Sequence, residues 1–364
     1  VGIREDKMSA AEAASLAREL AGLVDTLGLE IVSQEIVNLR ERHNKYGLGS
    51  GKAEELAEKA AAMEADCIVF DRDISPSQQR NWEKLTGISA IDREELIIQI
   101  FASRARTREA ELQISLAEHI HALPRLQHKY IDLARQRGGR YGTRGAGETL
   151  FETDRRQLEG RIHRLKQELE DVKRQRQVQR RQRERQAVPV CALVGYTNAG
   201  KSSILNALTG ADVFAEDKLF ATLDSTARRL RLPAGTLVLL IDTVGFIRRL
   251  PHSLVKAFRS TLEEASRADL LLNILDVSDQ DLEKQYETTL SVLRDLGAAD
   301  IPMIPVLNKI DKLDPATGSS TGQSQDALSK IYPGSVPVSA LTKKGLDELC
   351  ERIEQNLKNN TKIA

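Results

Sequence analysis

Gly195-Tyr196-Thr197-Asn198-Ala199-Gly200-Lys201-Ser202 lies between an apolar, β-prone run, Val190 to Val194, and a helix-prone run, Ile204 to Leu208. This is GxxxxGK[ST] in a strand, loop, helix setting, and it predicts a phosphate-binding loop. The chemistry explains the spacing. The backbone N–H groups of such a loop and the N-terminus of the following helix surround phosphates, Lys201 neutralises the β and γ oxygens, and the Ser202 hydroxyl ligates magnesium. Gly195 through Gly200 and Ser203 are assigned to the same phosphate cradle.

Further motifs follow in the order such a site needs. Leu237 to Ile241 reads as a buried strand running into Asp242-Thr243-Val244-Gly245. A carboxylate at a strand end beside the loop can hold magnesium through water, and the Gly245 N–H can reach the terminal phosphate. Thr222, in Leu219-Phe220-Ala221-Thr222-Leu223, lies where a mobile loop can bring a hydroxyl to the metal, with Phe220 and Ala221 beside the nucleotide. Met303 to Leu307 runs into Asn308-Lys309-Ile310-Asp311. The Asp311 carboxylate can accept both N1–H and the exocyclic amine of guanine, a donor pair that adenine lacks on that edge. Asn308 braces the loop, Lys309 lies along the base, and Ser339-Ala340 completes the pocket with backbone groups. The four motifs in order predict a GTPase rather than an ATPase. Its catalytic groups are Lys201, Thr222 and Gly245, and its magnesium ligands are Ser202, Thr222 and Asp242.

Two residues refine this expectation. Phe246 stands where many GTPases place a glutamine that orients the attacking water, so slow basal hydrolysis accelerated by a partner is expected. Asn198 has two open readings, a loop hydrogen bond or a ligand for a monovalent cation such as potassium.

The 53 Lys and Arg balance the 53 Asp and Glu over 364 residues, and the 41% hydrophobic content excludes a disordered chain. No apolar run approaches the roughly 18 residues of a membrane-spanning helix. Cys67, Cys191 and Cys350, odd in number and far apart, fit reduced thiols in a cytoplasmic protein, with peripheral membrane contact left open. The zero net charge argues against a nucleic-acid partner only if the charge is evenly spread. It is not: residues 135–187 hold sixteen Lys or Arg against eight Asp or Glu. Arginines alternate with glycines in Arg137-Gly138-Gly139-Arg140-Tyr141-Gly142-Thr143-Arg144-Gly145. Glycine lets a backbone approach closely and arginine forks onto phosphate oxygens, so Arg137, Arg140 and Arg144 are the candidate RNA contacts.

That tip separates two segments with 4,3,4,3 apolar spacing, Leu112 to Leu133 and Leu158 to Val172, which predict a coiled-coil-like helical hairpin. Pro124 falls inside the first and predicts a kink or break; His119, on the seam, reads as a packed or hydrogen-bonded histidine. Residues N-terminal to the hairpin alternate strand-like runs (Val1 to Ile3, Leu29 to Val32, Cys67 to Phe70, Ile88 to Ile91) with helix-like runs, predicting a small α/β domain with a parallel sheet. The chain is therefore α/β with a helical hairpin. It divides into a small N-terminal domain (1–91), the hairpin and a helical linker (92–187), a phosphate-loop GTPase domain (188–358) and a tail (359–364).

These residues resemble the HflX-type ribosome-associated GTPases, and the likeness spans nearly the whole chain. Besides the nucleotide motifs, it is carried by Lys45 to Lys52, Ser75 to Asn81, Ile91-Asp92-Arg93, Ile100 to Thr107, Gly145 to Thr149 and Glu152 to Arg156. The resemblance implies a cytosolic GTPase that binds the large ribosomal subunit and its RNA and splits stalled ribosomes, its hairpin reaching toward the peptidyl-transferase centre. Two alternatives are a GTP-dependent RNA-binding clamp and a ribosome-assembly or RNA-modification GTPase in which hydrolysis only resets binding. It also implies ATP use in the N-terminal region. The local candidate, Gly47 to Lys52, is not a GxxxxGK[ST] loop and reads first as a close-packed turn. Many relatives carry a further small domain; this chain ends shortly after Leu357, as a shorter or truncated member.

Overall fold

The computed structural model describes residues 1–136, 146–184, 188–210, 218–249, 254, 264–313 and 324–361, with backbone alone at 127–136, 146–151, 176–184 and 360–361. Among the described residues no helix is long and apolar enough to cross a membrane. The chain forms two compact units. One contains Val1–Ser103 and Glu111–Asp171, and the other contains Arg104–Ala110 and most of the chain after Val172.

In the first unit, β1 (Gly2–Glu5) pairs in parallel with β2 (Ile36–Leu39), and β3 (Cys67–Phe70) with β4 (Ser89–Asp92). Val1 links the two pairs: its nitrogen donates to Val69 O at 2.6 Å, and its carbonyl accepts from Asp71 N–H at 3.0 Å. A parallel arrangement was expected, but the second strand was expected at Leu29–Val32. That run is instead irregular, and Leu29, Ile31 and Val32 are exposed. Val37 and Leu39 of β2, on alternate residues, are the buried pair that holds the register.

The helices here are α1 (Ala10–Thr26), α2 (Ser50–Ala62), α3 (Pro76–Thr86) and α4 (Arg93–Arg104). Ser75-Pro76-Ser77-Gln78 sets the start of α3. The Ser75 hydroxyl accepts the Gln78 N–H, the Gln78 side chain accepts the Ser75 N–H, and Pro76 fills a first-turn position that needs no donor. Trp82 of α3 is fully buried against Phe70 and Tyr46 and donates its indole N–H to Tyr46 O at 2.9 Å. Gly47 to Lys52 therefore follows a backbone carbonyl used for packing. Tyr46 and Leu48 are buried on either side of Gly47, whose φ of +75° suits glycine.

The buried charges of Arg93 and Asp92 are paired. Arg93, 2% exposed, donates to Asp71 at 2.7 Å and also binds Glu19. Asp92 receives the Glu95 N–H at 2.8 Å and the Arg125 guanidinium at 2.8 Å, with His121 Nε2 3.5 Å away. Burial opposes ionisation of Asp92, but His121, the Glu95 N–H and Arg125 together hold its carboxyl below the usual range.

Two long helices follow, α5 (Arg108–Gln136) and α6 (Ala146–Glu184). Seam positions Leu112, Leu116, Ile162 and Leu169 are buried. Of the kink or break expected at Pro124, the break does not occur, because α5 continues through it. Pro124 is on the exposed face, where the carbonyl it deprives of a donor can be hydrated, and Arg125 caps the neighbouring His121 carbonyl at 3.0 Å. His119 Nδ1 lies 2.6 Å from Ser115 O, a local hydrogen bond.

The second unit is built on a six-stranded sheet. Its strands are β5 (Val190–Gly195), β6 (Thr226–Arg231), β7 (Leu237–Asp242), β8 (Leu270–Asp276), β9 (Met303–Asn308) and β10 (Val336–Pro337), in the order β10-β9-β8-β5-β7-β6. Only β6, at the edge, is antiparallel. The helices among its described residues are α7 (Lys201–Thr209), α8 (Leu282–Asp295), α9 (Gln325–Ile331) and α10 (Leu346–Thr361). Strand residues Leu193, Leu240, Leu272 and Val306 share one buried cluster with Ile204 and Leu205 of α7 and Leu349 and Ile353 of α10. Burying both faces explains the continuous apolar runs read in β5 and β7.

Candidate nucleotide site

β5 and β8 are neighbours, and the chain leaves the C-terminal ends of β5, β7 and β9 toward one cavity, as parallel sheets direct ligands. The cavity, 540 Å³, is lined by Thr197, Asn198, Gly200, Lys201, Ser202, Ser203, Phe220, Ala221, Thr222, Gly245, Asn308, Lys309, Asp311 and Ala340. Residues predicted from five separate stretches are thus brought together. Gly195, Tyr196, Ala199, Asp242 and Ser339 stand behind this lining. Asn206, Ala207, Lys218, Leu341 and Lys343 line it too, although no motif drew attention to them. For Lys218, the available signal was a cation four residues before Thr222 in the same loop.

Two glycines are fixed by close approach. A Cβ on Gly200, whose φ is +94°, would lie 2.3 Å from Asn308 Nδ2. One on Gly245 would meet Thr197 Cα at 2.7 Å and Lys201 Nζ at 2.9 Å. The loop is therefore packed against both the base-side and the metal-side motifs. Phe246 completes that packing: its N–H donates to Gly195 O at 3.0 Å, its carbonyl accepts the Thr197 N–H at 2.8 Å, and its ring is buried. Tyr196 is also buried, its hydroxyl accepting the Arg248 N–H.

Lys201 is buried, and among the described residues its ammonium donates only to the carbonyls of Gly195 (3.3 Å) and Tyr196 (2.8 Å). Burial, partly offset by Asp242 and reinforced by Lys309, pushes its pKa down to about 8. The nearby oxygens form a line: Ser202 Oγ lies 2.5 Å from Thr222 Oγ1 and donates to Asp242 Oδ2 at 2.6 Å. Asp242 is fully buried, its carboxyl pushed up by burial against the pull of Lys201 and the hydroxyls. Its Oδ1 has no hydrogen-bond partner among the described residues. Two hydroxyls and a buried carboxylate with a spare oxygen are a hard donor set that fits magnesium with water in its shell.

At the other end, Asn308 clamps two loops. Its amide N–H donates to Ala199 O at 2.9 Å and its Oδ1 accepts the Ala340 N–H at 3.2 Å. Lys309 donates to Asn198 O at 2.9 Å and pairs with Asp276 at 2.6 Å, which fixes its stem at the cavity wall. Asp311 is exposed but oriented by the Ser339 hydroxyl, which donates to its Oδ1 at 2.5 Å. The sequence reading gave Ser339 a backbone role; its side chain adds this second one. Asn198 has φ +62° and lines the cavity. The candidate RNA contacts Arg137, Arg140 and Arg144 lie outside the described residues.

Comparison with known proteins agrees with this geometry. Residues 14–102 match the model of the GTP-binding GTPase N-terminal region, 104–183 that of the GTP-binding GTPase middle region, and 190–309 that of the 50S ribosome-binding GTPase. The chain is 46% identical over 372 residues to GTPase HflX of Akkermansia muciniphila, covering 100% of this chain and 84% of that one. It is 42% identical over 340 residues to GTPase HflX of Escherichia coli, covering 93% and 78%. Among solved structures, the SsGBP and GDP complex superposes with a TM-score of 0.53 at 25% identity, covering 98% of each chain. With the full set of nucleotide motifs converging on one cavity and relatives of this identity along its length, the chain belongs to the HflX family of GTPases.

Proposed function

We propose that this protein binds the large ribosomal subunit in its GTP state and splits stalled ribosomes into subunits, hydrolysing GTP slowly until the ribosome accelerates it. The observation that carries the nucleotide part is one cavity with Lys201 at its phosphate end and Asp311 at its base end, held in register by Asn308. The match of residues 190–309 to the 50S ribosome-binding GTPase model supports the ribosomal partner, as does the surplus of positive charge in residues 135–187.

Within the site, Lys201 and the loop N–H groups bind the phosphates, and the Gly245 N–H approaches the terminal one. Ser202 and Thr222 would hold magnesium directly and Asp242 through water; the bound ion would supply charge neutralisation at the β and γ oxygens. Asp311 pairs with guanine while Ser339 fixes its direction. Phe246 has its backbone committed to Gly195 and Thr197 and its ring buried, so it offers nothing to orient water. That supports a slow intrinsic rate and a partner that completes the site. Asn198 is the candidate potassium ligand, and equal turnover in sodium and potassium would remove that role.

Co-sedimentation with purified large and small subunits, each with GTP, GDP and ATP, tests the proposal. GTP-dependent retention on the large subunit is expected, whereas retention on neither subunit would overturn it. Splitting of 70S particles with a non-hydrolysable GTP analogue then separates hydrolysis-coupled splitting from a clamp that hydrolysis only resets. Preferential binding to a tRNA would favour RNA modification instead.

A further inference from the structure

We propose that Asp224 is a positioning residue for GTP hydrolysis, its carboxylate fastening the loop that carries Thr222 to the segment Arg106–Thr107. The inference rests on the nucleotide reading above and adds a residue to it.

Asp224 Oδ2 accepts the Arg106 N–H at 3.1 Å, and Oδ1 accepts the Thr107 hydroxyl proton at 2.5 Å. Two residues span at most about 7 Å of chain, so a carboxylate fixed at 224 restricts where Thr222 can be. The residue between them, Leu223, is buried, and Phe220 is buried with φ +53°. The loop is thus held at three points: Thr222 against Ser202, Leu223 in the core, and Asp224 on Arg106–Thr107. The third is the one that could be released without disturbing either the core or the phosphate cradle.

The other end of the contact is equally specific. Thr107 donates its proton to Asp224 and accepts the Ala110 N–H at 3.2 Å, which caps the first turn of α5. The carboxylate orients the hydroxyl that makes this cap. Closing the Thr222 loop on GTP and capping α5 are therefore linked. By the reciprocity of coupled equilibria, whatever pulls on residues 106–107 changes the placement of Thr222, and GTP binding stabilises the cap. GDP has no terminal phosphate for the closed loop to enclose, so its affinity should not depend on this contact.

The test uses the full chain. Asp224→Ala should lower kcat by about fivefold or more and lower the affinity for a non-hydrolysable GTP analogue relative to GDP, with the GDP Kd unchanged. Thr107→Val should act in the same direction, Thr107→Ser should restore wild-type behaviour, and the double variant Asp224→Ala, Thr107→Val should be no worse than Asp224→Ala alone. Unchanged kcat, an equal loss of GDP and analogue affinity, or additive effects in the double variant would overturn the proposal. Lys201→Ala is measured alongside. If it keeps tight nucleotide binding, the reading of the site itself fails; if it loses binding while Asp224→Ala turns over normally, only the role of Asp224 falls.

Discussion

The two units of this chain are both built on parallel strands and both bury charge, but they treat that charge in opposite ways. In the N-terminal unit, Arg93 is enclosed between Asp71 and Glu19, and Asp92 between Arg125 and the Glu95 N–H. In the nucleotide unit, Lys201 is buried with two carbonyl oxygens as its only hydrogen-bond partners among the described residues, and Asp242 keeps an unpartnered oxygen. Burying an ion costs several kcal/mol unless an opposite charge or hydrogen bonds compensate. The first unit meets that cost internally. The second leaves part of it unmet among the described residues, at Lys201 and at Asp242 Oδ1. Burial of charge is therefore not by itself the mark of a site, and neither is a missing hydrogen bond, since Glu95 Oε2 in the first unit also lacks a partner among the described residues; what sets the second unit apart is that Lys201 opens onto a cavity.

The largest effect that could break this contrast is Arg93→Ala. Leaving Asp71 and Glu19 buried without their cation should cost about 3–5 kcal/mol in chemical denaturation while nucleotide affinity of the folded protein is preserved. A loss of nucleotide affinity without a loss of stability would mean that Arg93 has been assigned to the wrong class. Lys201→Ala should do the reverse. GTP and GDP binding, followed by fluorescence titration, should weaken at least about a hundredfold, or about 3 kcal/mol, with no loss of apo stability. Burial of this cation outweighs its attraction to Asp242, so removing it relieves a desolvation cost, and a marked fall in apo stability would show that it is structurally paired after all.

Asp311→Asn should be smaller. Losing a charged acceptor for guanine is expected to cost about 1.5–3 kcal/mol and to move preference toward xanthine nucleotides. Unchanged guanine selectivity in competition binding would refute the role given to Asp311. The smallest effect concerns Glu95, which burial pushes above the ordinary glutamate range and which faces His121, Asp92, Arg125 and Glu83. The folded state then holds the proton more tightly than the unfolded one, so stability falls as pH rises from the ordinary glutamate pKa through the folded value. Glu95→Gln should remove that fall and gain up to about 1 kcal/mol at neutral pH, given its partial exposure. Parallel melting-temperature profiles for the two proteins would show that Glu95 contributes none of the slope.

Local motifs were the most readable part of the molecule. Gly195 to Ser202, Asp242 to Gly245 and Asn308 to Asp311 each fall at a strand end, where a few contiguous residues fix the backbone and the chemistry together. Nothing adjacent to Asn206 marks a ligand, and the sign at Lys218 is no more than a cation four residues before Thr222; both reach the cavity through the path of their helix and loop. The second strand was misplaced by a few residues because Leu29 to Val32 is as apolar as a strand, whereas the real strand is chosen by which residues face the core across from β1. That Pro124 does not break its helix has a related reason. A proline forbids one hydrogen bond, and only the exposed face on which it sits makes that loss tolerable.

The sequence by itself marked the nucleotide unit, since the phosphate loop, the Asp242 motif and the Asn308-Lys309-Ile310-Asp311 motif are each contiguous and chemically explicit. Tertiary structure decided which buried charges are closed off and which remain open to a ligand. It also decided that the Ser339 hydroxyl aims Asp311 and that Asp224 reaches back 117 residues to Thr107. Pairing depends on distance in space, and residues that far apart in the chain carry no local sign of one another.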